Sequence, residues 1–140
     1  MVTVAGNEDA SVSGSLLPTD ADADTTYTFA VTSDVPSGKG TLTLDEDGDY
    51  SFDPDGAFEY LGVDNTEEVL FSYSVTDEDG NSYVTSATIT VTGTNDDPVL
   101  TASQGASAFT EDAGAITVNI TVTVTDADSA DFDTGTLTVT

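Results

Sequence analysis

The feature that most constrains the fold is strict two-residue alternation of apolar and polar side chains, broken at intervals by Asp- and Gly-rich punctuation. Val69, Phe71, Tyr73 and Val75 alternate with Leu70, Ser72, Ser74 and Thr76. Successive side chains of an extended strand point to opposite faces, so this stretch has one apolar face and one small, polar face. The return stretch predicts Tyr83, Thr85, Ala87, Ile89 and Val91 inward and Ser86, Thr88, Thr90 and Thr92 outward, after a turn at Asp77-Glu78-Asp79-Gly80-Asn81. Val2-Thr3-Val4, Val12 to Leu17 and Tyr27-Phe29-Val31 carry shorter versions of the pattern. So do Leu42-Leu44 and Tyr50-Phe52, joined by Asp45-Glu46-Asp47-Gly48, where glycine supplies the positive φ of a tight hairpin. Pro54 to Asn65 is read as a longer crossing loop whose Phe58 and Leu61 plug the core. No stretch has helical periodicity. Short strands with such turns predict an all-β chain, an antiparallel β-sandwich of the immunoglobulin type.

Gly93-Thr94-Asn95-Asp96-Asp97-Pro98 ends this run and precedes another. Beyond it the earlier signals recur in the same order, roughly one hundred residues later. Glu111-Asp112-Ala113 echoes Glu8-Asp9-Ala10, Asp126-Ala127-Asp128 echoes Asp20-Ala21-Asp22, and Gly135-Thr136-Leu137 echoes Gly40-Thr41-Leu42. Ile116, Val118, Ile120, Val122 and Val124 predict one further strand with an apolar face. The expected division is a full sandwich repeat over 1–98, ending in the GTNDDP linker, and the N-terminal part of a following repeat over 99–140. Whether the second part is disordered, pairs with the first or pairs with another copy is left open by the sequence. The linker reads as a hinge that a cation could lock.

Charge and missing residue types narrow the chemistry. There is no cysteine and no histidine, which removes the usual zinc, copper and haem ligands and any catalytic Ser-His-Asp or Cys-His arrangement. Twenty-seven acidic residues stand against one basic residue, Lys39, for a formal net charge of −26. Such a chain repels phosphate backbones and anionic lipid, so neither nucleic acid nor membrane insertion is expected. With 37% hydrophobic residues in alternating register it should still fold, provided screening or divalent cations relieve the self-repulsion. Catalysis by an Asp/Glu pair is not expected either. A glycosidase couple needs a sugar cleft with aromatic platforms, whereas tryptophan is absent and the tyrosines fall mainly on core-facing positions.

Oxygen ligands remain, and with them the hard cations. Asp20, Asp22 and Asp24 fall at every second residue, so in an extended segment their carboxylates repel unless a cation sits between them. This is no EF-hand, because Thr25 stands where that loop needs glycine and Val31 where it needs a bidentate Glu. Asp77-x-Asp79-x-Asn81 fails likewise at Ser82 and Thr88. Asp45, Glu46, Asp47 and Asp49 read as turn builders without a metal. The threonine ladders Thr117, Thr121, Thr123, Thr125 and Thr88, Thr90, Thr92 read as ordinary β-branched strand surface.

LGVDNTEEVLFSYSVTDEDG followed by ITVTGTNDDP resembles the second half of a VCBS repeat, the bacterial cadherin-like module strung in tandem along large adhesins. NEDASVSGSLLPTDADAD and GTLTLDEDGDYSFDP resemble its first half. Asp97 and Asp24 depart from the family pattern by adding acidity. The resemblance implies a cadherin-like sandwich that binds Ca2+ between modules. Carried over by position, the ligands from the first module would be Glu8, Asp77 and Asp79, those from the linker Asn95, Asp96 and Asp97, and those from the next module Asp126 and Asp128. Asp20 and Asp22 would face a preceding module. The resemblance also implies an extracellular or cell-surface protein of the RTX adhesin type, exported by a type I system. Its expected role is that of a calcium-rigidified structural extender that spaces a distal binding domain from the cell, with neighbouring repeats of the same chain as partners. The alternative is a carbohydrate-binding or cell-aggregation module acting directly in adhesion, with glycans as partners.

Overall fold

A computed structural model describes residues 2–17, 26–102, 110–112 and 122–129, and these form strands and turns with no helix among them. The chain divides into two compact units, Met1–Asn95 and Asp96–Thr140.

In the first unit the strands are β1 (Val2–Asn7), β2 (Val12–Ser15), β3 (Tyr27–Ser33), β4 (Thr41–Leu44), β5 (Asp49–Asp53), β6 (Thr66–Asp77) and β7 (Ser82–Thr92). They make two sheets, in the orders β1-β7-β6-β3 and β2-β5-β4. The longest alternating stretches are the centre of the larger sheet, with Val69 opposite Ile89 and Phe71 opposite Ala87. One pair departs from the antiparallel expectation, since β1 runs parallel to β7 from Val2↔Ala87 to Asn7↔Thr92. No hairpin joins these two strands, which are distant in sequence, so nothing forces them to run in opposite directions. After Asn7 the chain turns across to the other sheet.

Between the sheets lie Phe29, Phe52, Phe58, Phe71, Val69, Ile89 and Val91, all essentially excluded from solvent. Each such side chain contributes about 1.5–3 kcal/mol relative to exposure. Phe58 and Leu61 do plug the core from the crossing loop, which is built of successive turns closed by Ala57 N–H to the Pro54 carbonyl (2.9 Å), Leu61 N–H to Phe58 (2.8 Å) and Asn65 N–H to Gly62 (2.9 Å). Two expected orientations differ. Tyr83 is 73% exposed, because it lies at the hairpin end of β7 opposite Val75, past the reach of the smaller sheet. Thr88, expected outside, is 1% exposed, because it sits mid-strand with Thr3 and Leu70 in register on either side.

The direction of these strands fixes what lies at each end of the sandwich. β1 and β7 finish together, at Asn7 and Thr92, and β6 begins there, with Thr66 opposite Thr92. The β6–β7 turn lies at the other end, ten residue steps along β7, or about 33 Å at the rise of a strand.

In the second unit β8 (Val99–Ala102) pairs antiparallel with β9 (Val122–Thr125), placing Leu100 opposite Val124. Of the strand expected over Ile116 to Val124, the part before Val122 lies outside the described residues. So do Asp20, Asp22, Asp24, Thr117, Thr121 and the Gly135 repeat.

Candidate metal centre

The acids at the linker end of the first unit are gathered by the last turn of β1 and the exit of β7. Glu8 N–H donates to the Thr92 carbonyl at 3.1 Å, which folds the chain back under the end of β7. The Glu8 side chain is 2% exposed. Its Oε1 accepts the Thr94 N–H at 2.7 Å, and the Thr94 hydroxyl donates to the Asp9 carboxylate. Its Oε2 is buried and has no hydrogen-bond partner. A buried carboxylate oxygen left without a donor costs a large desolvation penalty unless a cation offsets it.

Glu59 arrives from the crossing loop, and its carboxylate comes within 4.8 Å of that of Asp9. Gly93 sets this approach. Its N–H donates to the Asn65 carbonyl at 2.8 Å, and its own carbonyl accepts the Asp64 N–H at 3.2 Å. A β-carbon at Gly93 would stand 2.3 Å from the Leu61 carbonyl oxygen and 2.5 Å from that of Gly62, so only glycine lets strand and loop meet here. Oxygens that share one calcium ion at 2.3–2.6 Å each stand no more than about 5 Å apart, so the Asp9–Glu59 separation fits such an ion. The chemistry also fits, with Asp9 and Glu59 as hard anionic donors, Glu8 bonded to the same Thr94 as Asp9, and no lysine or arginine in the chain apart from Lys39, which is engaged by Glu67.

The second unit has its own acidic turn. Asp126 Oδ1 accepts the N–H groups of Asp128 (3.3 Å) and Ser129 (3.1 Å). The Asp128 carboxyl is pushed above the ordinary aspartate range, first by its hydrogen bond with the Asp126 carboxyl, then by burial and by that neighbour's charge; a hydrogen bond from the Asp96 backbone opposes the rise. Two carboxyls held this close favour a bound proton or cation. The Asp126 and Asp128 carboxyls are thus brought together beside the Asp96 backbone, whereas Asn95 and Asp97 are exposed along the linker.

Asp77 and Asp79 do not join Glu8. They occupy the β6–β7 turn at the opposite end of the sandwich, because a hairpin between two long antiparallel strands must lie a full strand length from where those strands meet the linker. There Asp77 serves its own turn, accepting the Asn81 N–H at 2.8 Å and the Asn81 side-chain amide at 2.9 Å, and these bonds hold its carboxyl below the usual range. Asp79 is exposed in the same turn. The sequence reading missed Glu59 altogether, and it had Asp9 only as a repeat marker. The available signal for Glu59 was its place between two core plugs, Phe58 and Leu61, which turns a loop acid toward one end of the core.

No curated protein matches the chain. Among solved structures it is similar to protocadherin gamma B2 extracellular cadherin domains 1–5, at 17% identity and a TM-score of 0.44, over 91% of this chain and 25% of that one. The chain thus spans about a quarter of that protein's length. The family model for the bacterial cadherin-like domain matches residues 1–94, from the first strand to the threonine that binds Glu8 and Asp9, and the chain belongs to that family.

Proposed function

We propose that this chain is a calcium-rigidified extender module of a bacterial surface or secreted adhesin, a VCBS-type repeat that spaces a distal binding domain from the cell. Cadherin-like domains are extracellular, adhesion-related and non-enzymatic, and in general they bind calcium. The observation that carries the reading for this chain is Glu8, a buried carboxylate with one oxygen tied to Thr94 and the other lacking a hydrogen-bond partner, beside Asp9 at the point where β7 passes into the linker. An ion accepted by Glu8, Asp9 and Glu59 neutralises the linker end of the first unit. One taken up by Asp126 and Asp128 does the same for the acidic turn of the second. With those charges neutralised, the short linker no longer flexes to keep like charges apart, and consecutive repeats hold a fixed spacing. Export by a type I system and a place in an RTX adhesin belong to the same proposal.

A thermal melt of the 140-residue chain with calcium and with chelator, paired with small-angle scattering, tests it. At calcium about 100-fold above Kd the expected stabilisation is about 2.7 kcal/mol. For a domain of this size that corresponds to a rise in Tm of roughly 10 °C or more. An unchanged Tm together with an unchanged maximum dimension would overturn the reading.

A further inference from the structure

The chain has one cation among 27 acids, and its position is specific. Lys39 Nζ lies 2.6 Å from Glu67 Oε1 and donates to the Tyr60 hydroxyl at 2.8 Å, while that hydroxyl donates to the second oxygen of Glu67. The same ammonium stands 5.2 Å from the ring centroids of both Phe58 and Tyr60. It therefore contacts the residues immediately before and after Glu59.

We propose that Lys39, Tyr60 and Glu67 form a positioning clamp that fixes the 58–60 backbone and so holds Glu59 ready for calcium. This rests on the calcium reading above and adds to it the element that sets affinity. Phe58 is anchored in the core on one side of Glu59, and Tyr60, 51% exposed, has no such anchor. The ring contact with Lys39 and the shared hydroxyl bond supply one. Lys39 and Glu67 are each about one-third exposed, and ion pairs at that exposure add little to stability, so the clamp acts through position. Groups that orient metal ligands in this way typically change metal affinity by 10- to 100-fold when removed.

The sign of the effect separates positioning from simple electrostatics. Lys39→Met keeps the alkyl chain over the rings and removes the ammonium. Taking a positive charge away from an acidic end and exposing the charge of Glu67 would tighten calcium binding if long-range attraction ruled. Loss of the clamp weakens it. The experiment is calorimetric titration of the full 140-residue chain with calcium chloride, alongside its melting temperature in chelator. The expected result is calcium binding about tenfold weaker for Lys39→Met, a smaller loss for Tyr60→Phe, near-wild-type affinity for Lys39→Arg, and chelator melting temperatures close to wild type for all three. Equal or tighter binding by Lys39→Met overturns the clamp while leaving the calcium site standing. If Lys39→Met does not fold, Tyr60→Phe decides, and wild-type affinity there overturns the clamp. Absence of calcium binding by the wild-type chain removes the calcium reading and the clamp with it.

Discussion

Both ends of the first unit carry clustered acids and use them in opposite ways. At the hairpin end Asp45 and Asp77 are satisfied by the turns they build. Asp45 Oδ1 accepts the N–H groups of Asp47 (3.1 Å) and Asp49 (2.9 Å), and Asp77 accepts both donors of Asn81. At the linker end Glu8 is buried with an oxygen to spare, and Asp9 and Glu59 are drawn together from separate loops. Density of acids therefore does not mark a cation site. What marks it is a carboxylate that the fold has dehydrated without giving it enough donors.

The comparison can be broken or sharpened in several ways. Gly93→Ala should have the largest effect, because its β-carbon collides with two backbone carbonyls that cannot rotate away; a cost of about 3 kcal/mol or more is expected. Gly80→Ala, in the hairpin turn, meets open space, and only its positive φ of 84° is strained, for about 1 kcal/mol. Equal losses in denaturant titrations would show that the linker end is no more tightly built than the hairpin. Next, Glu8→Gln should weaken calcium binding at least tenfold, given the dependence of affinity on ligand charge, and should keep its melting temperature in chelator. Asp79→Asn and Asp45→Asn should leave calcium affinity unchanged in the same calorimetric titration. A calcium-binding loss at Asp79 would return the site to the hairpin end.

A smaller effect is expected from Asp77→Ala, which removes the acceptor for both Asn81 donors. It should lower the melting temperature modestly, and by the same amount with calcium as with chelator. The last prediction concerns pH. Hydrogen bonds hold Asp77, Asp53 and Glu67 below their ordinary ranges, Asp53 through the Asp55 N–H and the Ser11 hydroxyl, Glu67 through Lys39 and Tyr60. A depressed carboxyl contributes stability that is present above its unfolded pKa and is lost as pH falls through its folded value. The chelated protein should therefore hold its stability down to about pH 4 and lose it progressively below. Asp77→Ala should make that acid limb shallower in melts at stepped pH, and an unchanged limb would mean that the turn contributes nothing to it.

Much of this was legible in the chain. Two-residue alternation fixes strands because the extended backbone leaves side chains no other disposition, and Phe58 and Leu61 could be read as plugs because a loop rarely leaves two large apolar residues in water. The absence of histidine and cysteine leaves only oxygen chemistry, whatever the fold. Where the reading fell short, the cause was direction and layer. Tyr83 follows the alternation faithfully and is nevertheless exposed, because alternation says which face a residue occupies and not whether another sheet reaches that far.

The candidate site shows the same division. Which acids the chain carries, and that only a hard cation suits them, follows from its residues alone. Which acids meet was decided by strand pairing, which sets Asp77 and Asp79 a full strand length from Glu8, and by the contact between Gly93 and the crossing loop, which brings Glu59 to Asp9. A carboxylate has the same chemistry at either end of a sandwich. Its burial, and the number of donors left to it, exist only once the sheets have closed.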